Sequence, residues 1–199
     1  MTGDCSRFMW TMSEYKSMIC ITNRHLCGED FLQRIHSLAG IPEIERIILR
    51  EKDMAQEDYE SLAEQCRDIC RHAGKPFAVN HFIQAARRLK IPDIQIAFAQ
   101  MEKNREYLGD FSSVGVSVHS SEEARQAEAL GASYIIAGHI YATNCKEGIP
   151  PRGLRYLKEV CDSTGLPVYA IGGITPRNMA EVLAAGAAGG CMMSGFMKY

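Results

Sequence analysis

The stretch VGVSVHSSEEARQAEALGASYIIA, residues 114–137, decides the fold class. Its apolar ends, 114–118 and 134–137, are typical of short buried strands. Between them, Ser120 and Glu123 form a capping-box pattern that opens an amphipathic helix. A strand, a helix and a second strand in this order predict a βαβ unit with parallel strands.

The same alternation extends in both directions along the chain. The segment 55–73 repeats its apolar residues at steps of three and four, which predicts a helix. Thr175 is predicted to cap a helix that begins at Pro176. Six further candidate strands lie at 18–22, 46–50, 77–80, 94–97, 168–171 and 190–193.

Eight strands separated by helices predict an α/β fold, the (β/α)8 TIM barrel. An open doubly wound sheet is the alternative, but no Gly-x-Gly-x-x-Gly motif follows the first strand. The chain of 199 residues is 46% hydrophobic, which suits a single domain. We expect an N-terminal extension over 1–17 and the barrel over 18–195.

The chain beyond the eighth strand is too short for a full closing helix, so we expect the eighth helix to be truncated. A barrel seam without its helix exposes apolar surface. We expect either the N-terminal stretch that carries Phe8, Met9 and Trp10, or a second subunit, to cover this seam.

Composition limits the partners and the location. The 22 basic and 24 acidic residues give a net charge of −2, so we expect neither nucleic acid nor a membrane as partner. No apolar run is long enough to span a bilayer, and the N-terminus lacks the apolar core of a signal peptide, so we expect a cytoplasmic protein. The eight cysteines are scattered without a C-x-x-C motif, which favours reduced, buried thiols over a zinc site.

Small residues after the last two strands predict a phosphate site. In this fold phosphate often binds at the loops after strands seven and eight. Gly172 and Gly173 follow the seventh strand and let main-chain N–H groups approach an anion, while Met193 and Ser194 end the eighth. The alternative is that the two glycines only make tight turns.

Polar residues collect at the ends of the other strands and predict further ligand contacts. They are Arg50, Lys52, Asn80, Ser117, His119 and His139. We expect His139 to face the same cavity as the double glycine and to transfer a proton, because histidine exchanges protons near neutral pH. Three of them have an alternative role: Arg50 could pair with Glu51, Asn80 could cap a loop, and His119 could precede a helix.

The loop after the sixth strand, 138–153, is long and polar, as loops that cover a barrel mouth usually are. We expect Lys146 to supply a charge to the phosphate, and Thr143 and Cys145 to contact the substrate. A nucleophilic role for Cys145 is disfavoured, because no paired base is evident.

Four segments resemble the thiamine phosphate synthase superfamily: LREK at 49–52, GVSVH at 115–119, AIGGI at 170–174 and MSG at 193–195. The resemblance covers nearly the whole chain. Within that superfamily, GHIYATNCKEG at 138–148 resembles the TenI branch, the thiazole tautomerases. Several positions differ from the synthase pattern, which binds a diphosphate through magnesium. His81 replaces an aspartate, Met101 and Glu102 stand for an acidic pair, and Ile48 replaces a glutamine.

These differences favour a thiazole tautomerase of thiamine biosynthesis, an isomerase that aromatises a carboxylated thiazole ethyl phosphate with His139 as the base. The resemblance implies a homodimer, and we expect no metal or organic cofactor. One alternative is a thiamine phosphate synthase, which joins a pyrimidine diphosphate to a thiazole phosphate and needs Mg²⁺. A second is a regulatory protein that binds a phosphorylated ligand without catalysis.

Overall fold

A computed structural model describes residues 17–28, 30–143, 145 and 148–198. Within these residues, parallel strands form a closed barrel in which the last strand pairs with the first. The strands are β1 (Met18–Ile21), β2 (Ile44–Leu49), β3 (Phe77–Asn80), β4 (Asp93–Ala97), β5 (Ser113–Val118), β6 (Tyr134–Gly138), β7 (Val168–Ile171) and β8 (Gly189–Met192). The predicted barrel is confirmed.

Helices surround the barrel. They are α1 (Phe31–Ala39), α2 (Gln56–His72), α3 (Ile83–Arg88), α4 (Phe98–Met101), α5 (Arg105–Leu108), α6 (Ser121–Ala129), α7 (Gly153–Cys161), α8 (Met179–Ala184) and α9 (Ser194–Met197). Ser120 caps α6 as predicted, because its side chain accepts a hydrogen bond from the Glu123 N–H at 3.1 Å. With only four residues, α9 is the truncated eighth helix.

Alternation along each strand separates an outer core from the barrel interior. The outer core lies between strands and helices, whereas the interior is filled by a smaller apolar cluster. On β4, Ile94 and Ile96 face the outer core, so Gln95 faces the interior. On β5, Val116 and Val118 face outward in the same way, so Ser117 faces the interior.

The N-terminal end of the barrel is closed by a charged and aromatic layer. The Arg46 guanidinium lies 4.7 Å from the centre of the Tyr134 ring and 3.2 Å from the Asp93 carboxylate. The hydroxyl of Tyr169 donates to the Glu45 carboxylate at 2.8 Å. This packing leaves the opposite, C-terminal end of the strands as the place where the barrel interior can open to a ligand.

The predicted start of the helix after β7 is wrong. We expected Thr175 to cap a helix from Pro176, but α8 begins at Met179 with Asn178 as its N-cap. The Asn178 side chain accepts from the Thr175 N–H at 2.8 Å, and the Asn178 N–H donates to the Thr175 oxygen at 3.2 Å. This local turn competes with helix formation and delays the helix.

The cysteines of the described residues have no disulfide partner, and Cys20, Cys66, Cys70 and Cys191 are buried. Burial raises the pKa of the Cys70 thiol to about 12, which keeps it protonated. Cys145, by contrast, is exposed. No helix among the described residues has the length and apolar character needed to cross a membrane. The residues predicted to cover the seam, Phe8, Met9 and Trp10, lie outside the described residues.

Candidate functional site

Three polar side chains form a hydrogen-bonded row across the inner face of β3, β4 and β5. Asn80 donates through Nδ2 to the main-chain oxygen of Gln95 at 3.0 Å. Gln95 donates through Nε2 to the hydroxyl oxygen of Ser117 at 3.0 Å. The structure thus connects two predicted contacts, Asn80 and Ser117, through a glutamine that we did not predict.

Two oxygens of this row have no partner among the described residues: Asn80 Oδ1 and Gln95 Oε1, both buried. A buried polar atom without a hydrogen bond is costly, so such an atom needs a reason. The sequence signal for Gln95 was its position between Ile94 and Ile96, which makes it a polar residue on an inner face.

Glu51 is the centre of a network that joins the ends of β1 and β2. Its side chain is 1% exposed and pairs with the Arg24 guanidinium at 3.1 Å. It also accepts from the Thr22 hydroxyl at 2.7 Å, while Thr22 Oγ1 accepts from the Arg50 N–H at 2.9 Å. Glu51 therefore pairs with Arg24 rather than with Arg50. Ile48 faces the barrel interior, and Arg50, two residues later, lies on the same inner face.

Arg24 reaches a second carboxylate at the surface. Its Nη2 lies 2.5 Å from Asp53, which His25 also contacts through Nε2 at 2.8 Å. Hydrogen bonds from Arg24 and then from His25 hold the pKa of Asp53 well below its usual value. These contacts across β1 and β2 cannot be predicted before the two strands are known to be neighbours.

The loop after β7 packs directly on the end of β6. Gly172 and Gly173 have φ angles of +96° and +65°, a region that favours glycine. The Tyr141 N–H donates to the Gly172 oxygen at 3.0 Å, and a Cβ atom on Gly172 would lie 2.3 Å from His139 Cβ. The Gly173 N–H donates to no described residue, which leaves it available to an anion.

Asn178 fixes the shape of this loop. Its Nδ2 donates to the Gly173 oxygen at 2.9 Å, and its Oδ1 accepts from the Thr175 N–H at 2.8 Å. One side chain thus holds the main chain at both sides of Ile174. The sequence signal was an asparagine three residues after a threonine, which is typical of a local side-chain turn.

We expect Asn178→Ala to lower the free energy of unfolding by about 1 kcal/mol, because two main-chain groups lose their partner. Thr175→Ala is the matched control and should cost less than about 0.5 kcal/mol, as expected for an exposed side chain. Urea unfolding of both variants measures the difference. Equal losses would show that Asn178 does not hold the loop.

The main chain of His139 lies beside the double glycine, but its side chain, which we expected to face the same cavity, is buried under the following loop. It is only 8% exposed, and its Nε2 lies 3.2 Å from the Ile149 oxygen. Its main-chain oxygen accepts from the Arg152 N–H at 3.0 Å. Both contacts tie the loop to the end of β6.

The remaining predicted residues are spread around the mouth. Met193 is half-buried, and its Sδ accepts from Asn23 Nδ2 at 3.8 Å. His119 is exposed, and its N–H donates to Glu123 Oε2 at 2.6 Å, so it precedes α6 as the alternative proposed. Ser194, Lys52 and Cys145 are exposed and Thr143 is half-buried. Lys146 lies outside the described residues.

Comparisons with known proteins agree with one another. The family model described as thiamine monophosphate synthase matches residues 18–196. The thiamine-phosphate synthase of Fusobacterium nucleatum is 31% identical over 89% of this chain and 87% of its own. That of Moorella thermoacetica is 33% identical over 92% of this chain and 88% of its own. The thiamine phosphate pyrophosphorylase of Pyrococcus furiosus has a similar structure, with a TM-score of 0.80, 27% identity and 92% and 88% of the two chains covered.

These relatives overturn the prediction of a thiazole tautomerase. They are named as synthases and resemble the chain along almost its whole length, whereas the tautomerase prediction depended on one loop and a few substitutions. The isomerase activity and the TenI branch are therefore not supported. The base role predicted for His139 belongs to the tautomerisation and falls with it.

Proposed function

The chain belongs to the thiamine monophosphate synthase family, and from this premise we propose that it is a transferase that joins a pyrimidine diphosphate to a thiazole phosphate. The observation that carries this proposal is the similarity to named synthases over about nine tenths of the chain. The family model matches residues 18–196, a range that includes every strand end of the mouth. The enzyme belongs to thiamine biosynthesis. Its small phosphorylated substrates suit a mouth built from polar side chains and main-chain donors.

The two substrates carry anionic groups that need separate positions. We assign the thiazole phosphate to the loops after β7 and β8, where Gly172, Gly173, Met193 and Ser194 lie and where the Gly173 N–H is available. We assign the diphosphate to Arg50, with Lys52 beyond it at the same strand end. A guanidinium is always charged and can bind two phosphate oxygens together.

The leaving diphosphate gains charge as its bond to the pyrimidine breaks. A cation held in place before the reaction stabilises that charge without reorganisation. Arg50 meets this need, because its main chain is fixed by the hydrogen bond to Thr22 at 2.9 Å. Asn80 and Ser117, on the inner face between the two anion positions, are the contacts that we propose for the rings.

Among the described residues, those at the positions where the synthase pattern binds magnesium do not form a magnesium site. His81 Nδ1 lies 2.8 Å from Gln100 Nε2, and the Glu102 side chain is 71% exposed beside Arg105. No group of three or more His, Cys, Asp or Glu side chains among the described residues could hold a metal ion. Magnesium requires several well-placed oxygen ligands, so we assign no step to it.

The test is a direct assay of the purified chain with both substrates, in parallel with and without Mg²⁺, followed by chromatography of the product and measurement of released diphosphate. We expect thiamine phosphate and diphosphate in equal amounts. A chain that binds thiazole phosphate but forms no product would contradict the synthase and favour the regulatory alternative.

Arg50→Met should raise KM for the pyrimidine diphosphate at least about tenfold and lower kcat as well, because a charge-assisted hydrogen bond contributes about 1.5–3 kcal/mol. Arg71→Met is the matched control, since Arg71 is 69% exposed at the end of α2 that points away from the mouth. Unchanged kinetics in Arg50→Met would remove Arg50 from the diphosphate position.

A further inference from the structure

We infer that Gln95 is a positioning residue that directs the hydroxyl proton of Ser117 into the barrel mouth, where the hydroxyl donates to a ring nitrogen of the pyrimidine substrate. The inference rests on the proposed function and adds that Gln95 determines how the substrate ring is oriented. It starts from the burial of Gln95, which is only 2% exposed although its side chain is an amide.

The structure places the amide nitrogen of Gln95 toward two hydrogen-bond acceptors. Nε2 donates to Ser117 Oγ at 3.0 Å and to the Ile96 main-chain oxygen at 3.4 Å. A main-chain oxygen can only accept, so the group that faces Ile96 must be the amide nitrogen. The same nitrogen faces Ser117, and therefore the Ser117 oxygen acts as an acceptor.

This arrangement determines what Ser117 can offer to a ligand. A serine hydroxyl has one proton, and an oxygen that accepts from Gln95 must send that proton in another direction. None of the described residues accepts it, and Ser117 is half-buried at the mouth end of β5. Ser117 is thus a donor, and we assign to it a pyrimidine ring nitrogen, whose electron pair takes no part in the new bond.

The absence of a side chain at Gly115 makes room for the Gln95 amide. A Cβ atom at residue 115 would lie 2.0 Å from Gln95 Oε1 and 2.2 Å from the Tyr134 ring. The amide therefore lies against bare main chain with an aromatic ring beside it, and it has little room to rotate. A fixed amide fixes the Ser117 proton before the substrate arrives, which is the condition for preorganised binding.

The decisive variant is Gln95→Glu. It keeps the volume of the side chain and replaces the donor to the Ser117 hydroxyl by an acceptor. A carboxylate accepts the Ser117 proton, so the ring nitrogen loses its donor. We expect kcat/KM at pH 8 to fall about tenfold to hundredfold, as for other lost hydrogen bonds of a binding site. Burial raises the pKa of a carboxyl group, and once protonated it can donate to Ser117 as the amide does.

The Gln95→Glu enzyme should therefore recover relative to wild type as the pH falls through that raised pKa. A role of Gln95 in packing alone gives no such recovery, because the shape of the side chain is unchanged. A pH-independent ratio of variant to wild-type kcat/KM overturns the inference. Thermal melting of both proteins over the same pH range separates this effect from unfolding.

A double-mutant cycle with Gln95→Leu and Ser117→Ala gives a second readout. If Gln95 acts through Ser117, either single change removes the same donor, and the double variant is hardly worse than the worse single variant. Additive losses overturn the inference. If wild type forms no product, the proposed function fails, and the same cycle is measured on the affinity for the pyrimidine diphosphate by calorimetry. Coupling there still supports the inference, and its absence overturns it.

Discussion

Gly172→Ala is expected to lower the free energy of unfolding by about 3 kcal/mol and to abolish the binding of thiazole phosphate. Two costs add. The φ angle of +96° is unfavourable for an L-residue by about 1–2 kcal/mol. The new Cβ would lie 2.3 Å from His139 Cβ and 2.8 Å from His139 Cα, and overpacking of this kind costs about 1–3 kcal/mol.

The second cost falls on the site itself. To relieve the contact, the loop after β7 must move away from the end of β6, and the Gly173 N–H moves with it. Because the hydrogen bond from Tyr141 to the Gly172 oxygen joins the two loops, the loop after β6 is displaced as well. Phosphate affinity is therefore expected to suffer more than the stability of the barrel.

Gly131→Ala is the matched control. Gly131 has a φ angle of +91°, almost that of Gly172, but no atom lies within 4 Å of the position that a Cβ would take. It should lose only the backbone cost, about 1 kcal/mol, and should bind thiazole phosphate as wild type does. Urea unfolding and calorimetry of both variants make the comparison. Similar stability losses and retained affinity in Gly172→Ala would contradict the packing argument.

The barrel could be predicted because strand and helix periodicities are local. The positions of β3 and β7 were predicted to the residue, and the other strands to within two residues at either end. The start of α8 could not be predicted from the Thr175–Pro176 pattern, because the side chain of Asn178 makes a competing turn. Local rules for helix ends fail where a nearby side chain offers the main chain another partner.

The site was predicted less completely, for two different reasons. Gln95 could have been found from alternation, since a polar residue between two isoleucines of a barrel strand must face the interior. Arg24 could not, because its partner Glu51 lies 27 residues away and the pairing depends on how the loops after β1 and β2 fold.

The predicted reaction was wrong because substitutions at a few strand ends were given more weight than the whole chain. In the proposed synthase, the substitutions at His81 and Ile48 leave both the cation at Arg50 and the Gly173 N–H after β7 in place. A ligand's charge can be met by guanidinium and amide groups as well as through a metal ion. Substitutions of this kind therefore indicate how a ligand is bound, and they do not by themselves identify a different reaction.

Glu51→Ala is expected to lower the free energy of unfolding by about 2–3 kcal/mol, because groups at the ends of β1 and β2 lose a buried, charged acceptor. The Arg24 guanidinium keeps its ion pair with Asp53. The Thr22 hydroxyl loses its acceptor, and Arg24 loses its contacts from both the N–H and the guanidinium at 3.1 Å. The hydrogen bond from Arg50 to Thr22 then loses its support. We therefore also expect KM for the pyrimidine diphosphate to rise about tenfold, the effect of about 1.4 kcal/mol.

Asp53→Ala is the control within the same network, because Asp53 binds the other side of Arg24 but is 55% exposed. Exposed ion pairs contribute little to stability, so this variant should unfold close to the wild-type urea concentration. The lowered pKa of Asp53 determines how its small contribution to the free energy of unfolding depends on pH. This stabilisation is present above the usual carboxyl pKa and is lost as the pH falls through the lowered pKa. Equal losses in the two variants at pH 7 would show that burial of Glu51 does not decide the strength of this network.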